Sequence, residues 1–252
     1  MRIGVRINRP SIPEALLANL PCGVQPLPCG SYVDHLYSVL LQGPQTGKVR
    51  KFHLAYSGAA LAGRSLDPGD VIASLISDVH RFVAEFSRRE LFLHAGVVGW
   101  KGGAILVPGR TFSGKSTLIA ELVRAGAIYY SDEYAVLDRE GRVHAYPVPM
   151  CLRNHDGLLN RQIPIAELTT LAPTPPLPVR TVVITDFEAS RRWHPRRLTP
   201  GAALLGLLSH TVQARTRPQI ALATLQKVAA RSTTLKGSRG DAQETALMIL
   251  GL

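Results

Sequence analysis

The chain has 252 residues and a mass of 27.3 kDa, enough for one domain or one domain with a smaller companion. Hydrophobic residues make up 46% and charged residues 19%, a globular balance that excludes a wholly disordered chain and needs no disulfide or metal to complete a core. The formal charge is +11, yet only six of the 29 basic residues are lysine, and the arginines are spread out with no run longer than pairs such as Arg191–Arg192 and Arg196–Arg197, so the excess reads as composition as readily as attraction to an anionic partner.

Residues 1–66 read as strand-rich. MRIGVRI alternates, YSVLL and KFHLAYS are short strand candidates, and Gly, Pro and Ser clusters separate them. A short helix is expected over 13–20. The stretch 67–87 predicts an amphipathic helix, with Val71, Leu75, Ile76, Val79, Phe82, Val83 and Phe86 on one stripe, Pro68 at its first position and Asp70 in its first turn. LFLHAGVVGW (91–100) and GAILVPG (103–109) predict two strands joined at Lys101–Gly102. Residues 115–126 predict a helix closed by Gly126. A strand or strand pair is expected over 127–138, with a hairpin through Glu140–Gly141. Prolines at 147, 149, 164, 173, 175, 176 and 178 break the next stretch into loops, and VRTVVITDF (179–187) reads as a buried strand. Helices are expected over 199–212, 218–231 and 241–252. This order implies an α/β fold, with α+β possible, built on a mixed sheet. The expected division is a strand-rich part with one long helix over 1–90 and a P-loop core with a helical end over 91–252.

No run approaches the ~18–20 apolar residues of a spanning helix, and the N-terminal MRIGVRINRP lacks the apolar stretch of a signal peptide. A soluble, cytoplasmic protein with no membrane partner is expected. Cys22, Cys29 and Cys151 make no disulfide framework, and the spacing of the first two is poor for zinc.

Gly109-Arg110-Thr111-Phe112-Ser113-Gly114-Lys115-Ser116 satisfies G-x-x-x-x-G-K-[ST] in full, after an apolar run and before a helical pattern. Such a loop wraps a polyphosphate. Gly109 and Gly114 let the backbone approach the oxygens, and the successive N–H groups through Thr117 open a helix facing the anion. Lys115 supplies a point charge, and the Ser116 hydroxyl suits Mg²⁺, a hard cation that prefers oxygen. A nucleoside triphosphate, read as ATP, with Mg²⁺ is the expected ligand. Phosphoryl transfer needs a metal-supporting acid and a group that activates the acceptor. Asp132–Glu133, after the P-loop helix, and Asp186, at the end of VVIT in the manner of a Walker B strand, are the acidic candidates. His94 lies just upstream of the P-loop strand.

The stretch LFLHAGVVGWKGGAILVPGRTFSGKSTLIAELVRAGAIYYSDEYAVLD (91–138) resembles the catalytic core of HPr kinase/phosphorylase and of related HPr-serine-kinase-like bacterial proteins. A histidine-bearing strand, a hairpin, a P-loop, a helix ending near Gly and a strand closing on paired acids come in the same order. The resemblance is clear over about 91–147 and looser toward the C-terminus. It implies the fold shared with phosphoenolpyruvate carboxykinase. It implies that Asp132 is the general base for a serine-type hydroxyl, that His94 and Lys115 stand at the phosphates, and that Glu133, in place of the usual aspartate, assists the metal. Where the family carries a glutamate-bearing signature this chain reads PVPMCLRNHDG, with Arg153, His155 and Asp156; Arg153 is a candidate to reach the nucleotide or acceptor. The family's C-terminal HPr-docking element has no visible counterpart, and the N-terminal part is short for the family's regulatory domain. The implied activity is therefore an ATP-dependent kinase for a hydroxyl on a peptide, protein or small molecule. Tailoring kinases of ribosomal peptides such as lasso precursors are the short relatives that fit best, and a homo-oligomer is also implied.

Two other readings exist. A P-loop ATPase or nucleotide switch would use Asp186 as its metal acid and water as its acceptor, but a switch-type glutamine and an arginine finger are not evident. A basic nucleic-acid-binding NTPase is disfavoured by the 6% aromatic content and the absence of a stacking pattern. Lys236 and Arg239 in TTLKGSRGD are further candidates for phosphate contact.

Overall fold

The structure, a computed structural model, describes residues 1–9, 13–43, 50–109, 113–153, 160–168 and 174–251. It is mixed α/β, and the chain divides into two compact units, Met1–Ser87 and Arg88–Leu252.

The first unit holds β1 (Ile3–Ile7), α1 (Glu14–Ala18), β2 (His35–Leu40), β3 (His53–Ser57), β4 (Ala60–Ser65) and α2 (Pro68–Phe86). The four strands form one sheet in sequence order, with β1 parallel to β2 and the rest antiparallel. Helix α2 starts where the turn chemistry places it. Asp67 caps it by accepting from the Gly69 N–H at 2.6 Å, and Pro68 stands in the first turn. Its apolar stripe is narrower than expected. Val71, Ile72, Leu75 and Val79 are buried with Tyr37, Val39 and Ala55 of the sheet, whereas Phe86 is half exposed. Strand β4 was not singled out in the sequence because ALAGRS carries no β-branched or aromatic residue.

The second unit holds β5 (Leu91–Trp100), β6 (Gly103–Pro108), α3 (Lys115–Arg124), β7 (Ile128–Ser131), β8 (Tyr134–Leu137), β9 (Arg142–His144), β10 (Met150–Arg153), β11 (Asn160–Ile163), α4 (Ile165–Leu168), β12 (Leu177–Phe187), β13 (Arg196–Arg197), α5 (Pro200–Leu208), α6 (Pro218–Arg231), β14 (Thr233–Arg239) and α7 (Ala242–Leu250). Eight strands make a mixed sheet in the order β13-β14-β12-β6-β5-β8-β9, with β7 also on β5. The start of β12 pairs with β9 as well, so part of the sheet closes on itself. Strands β6, β12 and β14 are mutually parallel, and their C-terminal ends therefore lie along one edge.

Alternation along the central strands feeds two cores. Val98, Ile105, Val107 and Val183 pack with α3 and α7, while Leu93, Ala95, Val97, Leu106 and Val182 pack with α5 and α6. Burial on both faces explains why these segments read as near-continuous apolar runs. The β5–β6 turn is the two-residue type that suits a hairpin, with φ of 47° at Lys101 and 75° at Gly102. Helix α3 ends at Gly126 as expected: its φ is +99°, and the N–H groups of Gly126 and Ala127 return to Val123 and Leu122.

Two features of the C-terminal part differ from expectation. The segment read as loops contains the β10–β11 hairpin, and TTLKGSR forms strand β14 between α6 and α7. Gly237 and the single alternating residues of TTLKGSR hid its strand character; pairing with β12 and β13 supplies it.

Gly96 of β5 lets α3 sit directly on the sheet. A Cβ there would lie 2.4 Å from Cγ1 and 2.7 Å from Cδ1 of Ile119. Gly96→Ala is expected to lower stability by about 1–3 kcal/mol through overpacking, with partial recovery in Gly96→Ala/Ile119→Ala. Denaturant unfolding of wild type and the two variants checks this.

Candidate functional site

The site candidates come together where β5, the β7–β8 break and the N-terminus of α3 meet. Ser131 of β7 pairs with Val97, and Tyr134 of β8 pairs with His94, in a continuous register. Asp132 and Glu133 therefore interrupt the strand opposite Gly96 and Ala95, and the Ala95 N–H still donates to the Glu133 carbonyl at 3.3 Å. The buried Ser131 hydroxyl shapes the break by accepting from the N–H groups of Glu133 and Tyr134 at 3.3 and 3.2 Å. Residues opposite one another share a sheet face, so Asp132 stands on the Gly96 face, which is the face that α3 covers.

Asp132 is 7% exposed, and its Oδ1 has no hydrogen-bond partner. Burial raises its pKa to about 6; the Ser116 hydroxyl, which hydrogen-bonds it, and the Lys115 charge pull the other way, and Glu133 adds to the rise. Burial, with the Asp132 charge behind it, also drives the Tyr129 phenol well above its usual range. His94 Nδ1 stands 3.9 Å from Glu133 Oε1, and its ring packs on Tyr134 at 4.9 Å. Burial lowers the His94 pKa, Glu133 opposes that shift, and Lys115 reinforces it. His94 also touches the exit of β6, because its carbonyl accepts from the Gly109 N–H at 3.3 Å.

Gly114 caps α3 with φ of +77°, and α3 has no side-chain cap and no acid in its first turn. Its first N–H groups and positive dipole end are thus left to an anion. A Cβ on Gly109 would lie 2.5 Å from Ser113 Oγ, so a larger residue there would displace that hydroxyl. Ser113, Lys115 and Ser116 are half-buried, and Thr117 is exposed on the first turn. Arg110, Thr111 and Phe112 lie outside the described residues, as do His155 and Asp156. Arg153 ends β10 opposite Asn160, and its side chain lies outside the description. The structure brings Asp132, Glu133, His94, Lys115 and Ser116 together. Asp186 ends β12 exposed to solvent, with no hydrogen bond or ion pair to Lys115 or Ser116 among the described residues. Lys236 is exposed on β14 opposite Arg196.

The chain is similar to a solved kinase/phosphatase. The structure of the Hpr(Ser) kinase/phosphatase from Coxiella burnetii shares 15% sequence identity with it, covers 64% of this chain and 92% of its own, and superposes with a TM-score of 0.37. No family model matches the sequence, and no curated protein matches it. Among the described residues no helix is long and apolar enough to cross a membrane.

The residues present fit a magnesium–nucleotide. The orphaned Asp132 oxygen and the neighbouring Ser116 hydroxyl are hard donors. Among the described residues no group of three or more His, Cys, Asp or Glu is gathered. Mg²⁺ prefers such oxygen donors, taking one or two carboxylates and keeping waters and phosphate oxygens as its other ligands.

The raised pKa fixes a sign. Between 3.8 and about 6 the folded protein holds a proton on Asp132 that the unfolded chain has lost, so this group makes stability fall as pH rises through that window. Asp132→Asn is therefore expected to melt higher than wild type at pH 7.5, with the difference shrinking as pH falls below 6. Thermal unfolding across a pH series measures it, and a lower melting point for the variant at pH 7.5 would refute the burial penalty.

Proposed function

We propose that the protein is an ATP-dependent kinase that transfers phosphate to a hydroxyl, of serine type, on a peptide or protein. The observation that carries the reading is the buried carboxylate of Asp132, with a free oxygen, against the uncapped N-terminus of α3. Lys115 and the first N–H groups of α3 bind and orient the phosphates. Ser116, with Glu133 nearby, would hold Mg²⁺, which when bound supplies charge neutralisation at the transferring phosphate. Asp132 takes the proton of the acceptor hydroxyl, a poor nucleophile until that proton leaves. A carboxylate with pKa about 6 is ionised at neutral pH and a stronger base than an ordinary aspartate. His94, held beside Glu133, stands on the same face and positions the phosphate end of the substrate. The peptide acceptor, including a ribosomal precursor peptide, rests on the resemblance of 91–138 and on the lack of an evident HPr-docking element.

Nucleotide turnover by wild type, Asp132→Asn and Asp186→Asn, with and without serine-containing peptides, tests this. Wild type is expected to consume ATP mainly when an acceptor is present, with a rate that rises through about pH 6 as Asp132 ionises. Asp132→Asn is expected to bind ATP but to lose about 10²–10⁴-fold in transfer, and Asp186→Asn to remain near wild type. Hydrolysis that needs no acceptor, survives Asp132→Asn and collapses in Asp186→Asn would replace the kinase with a P-loop ATPase.

A further inference from the structure

Arg239 closes β14, beside Phe187 at the end of β12. It is the largest fully buried side chain among the described residues, at 1% exposure. Its Nη2 donates to the Gly114 carbonyl at 2.6 Å, and Nη1 donates to the Gly240 carbonyl at 3.3 Å. Nε is buried with no partner. The guanidinium also lies 5.7 Å from the Phe187 ring centroid. Among the described residues no carboxylate forms an ion pair with it. The neighbouring Asp241 spends its side chain on the Glu244 N–H as the cap of α7.

A buried cation without a counter-ion is expensive, and neutral carbonyls compensate only part of the lost hydration. Burial indeed pushes the Arg239 pKa down, with Asp241 opposing. Among the described residues, Gly114 and the start of α3 mark a place where a further negative charge could stand near Arg239. The guanidinium is fastened to Gly114, the residue that caps α3, and a Cβ on Gly114 would lie 2.6 Å from Nη2. An anion on the first turn of α3 would lie on the other side of that cap from the guanidinium.

We propose that Arg239 is a positioning residue whose unpaired charge is answered by the phosphate of the bound nucleotide, through Gly114. The inference rests on the nucleotide reading above and deepens it. Arg239 holds the N-terminal cap of α3 from behind with its hydrogen bond and contributes positive potential to the phosphate site with its charge. Nucleotide binding then relieves the cost of burying the guanidinium.

Two variants separate charge from scaffolding. Arg239→Gln keeps an N–H donor for Gly114 but no charge, and Arg239→Lys keeps the charge without the planar fork. Affinity for Mg–ATP and for inorganic pyrophosphate is measured by calorimetry on the full chain, together with the melting temperature without ligand. The expected result is an affinity about tenfold weaker in Arg239→Gln and within about threefold of wild type in Arg239→Lys, with ligand-free melting of both near wild type. Equal affinity in Arg239→Gln and wild type, or an equal loss in both variants, would overturn the counter-charge role. So would failure of Arg239→Gln to melt cooperatively without ligand, since that makes Arg239 a structural anchor. Absence of any ATP or pyrophosphate binding by wild type would instead sink the nucleotide reading itself, and this proposal with it.

Discussion

Placing the Asp132 carboxylate out of water, against the end of a helix, costs stability, and the surrounding residues are arranged around that cost. The Ser116 hydroxyl and the Lys115 charge offset part of it, and one carboxylate oxygen is left without a partner. A protein selected only for stability would place a neutral or apolar side chain there. The retained acid makes sense as a group poised to accept a proton or a cation, which is the work the proposed transfer requires of it.

The geometry of that acid depends on small residues and on one interrupted strand. Gly96 admits α3 onto the sheet, and the break between β7 and β8 turns two acids out of the ladder without losing register. Each device weakens local regularity. Two cores, one on each face of the central strands, hold the arrangement in place. The parallel strands β6, β12 and β14 then bring their C-terminal ends to one edge, where ligands of open α/β sheets bind. On that edge stand Gly109, just beyond β6, and Arg239, the last residue of β14.

Much of the local structure was legible from residue type. Lys101–Gly102 announced a tight hairpin and Gly126 a helix stop, because both rest on positive φ, and Pro68 announced a helix start, because its ring fixes φ near the helical value. The G-x-x-x-x-G-K-[ST] spacing placed the start of α3 at Lys115, after a left-handed Gly114. Strands β4 and β14 were hidden because their stability comes from neighbours rather than from their own side chains. The β10–β11 hairpin was hidden by the prolines that surround it.

The sequence by itself determined the kinds of groups available: a glycine-framed loop with Lys115 and Ser116, a histidine-bearing strand, and a pair of acids after a helix. Those are local, chemical facts, set by short-range sterics and by the identity of the side chains. Only the tertiary structure separated the acids by burial. Asp132 and Asp186 both end apolar runs and look alike in one dimension, yet one is buried beside Ser116 and the other is open to water. It also brought Arg239 to Gly114 across 125 residues of chain. Burial and long-range charge pairing are properties of the folded neighbourhood, and no spacing along the chain encodes them.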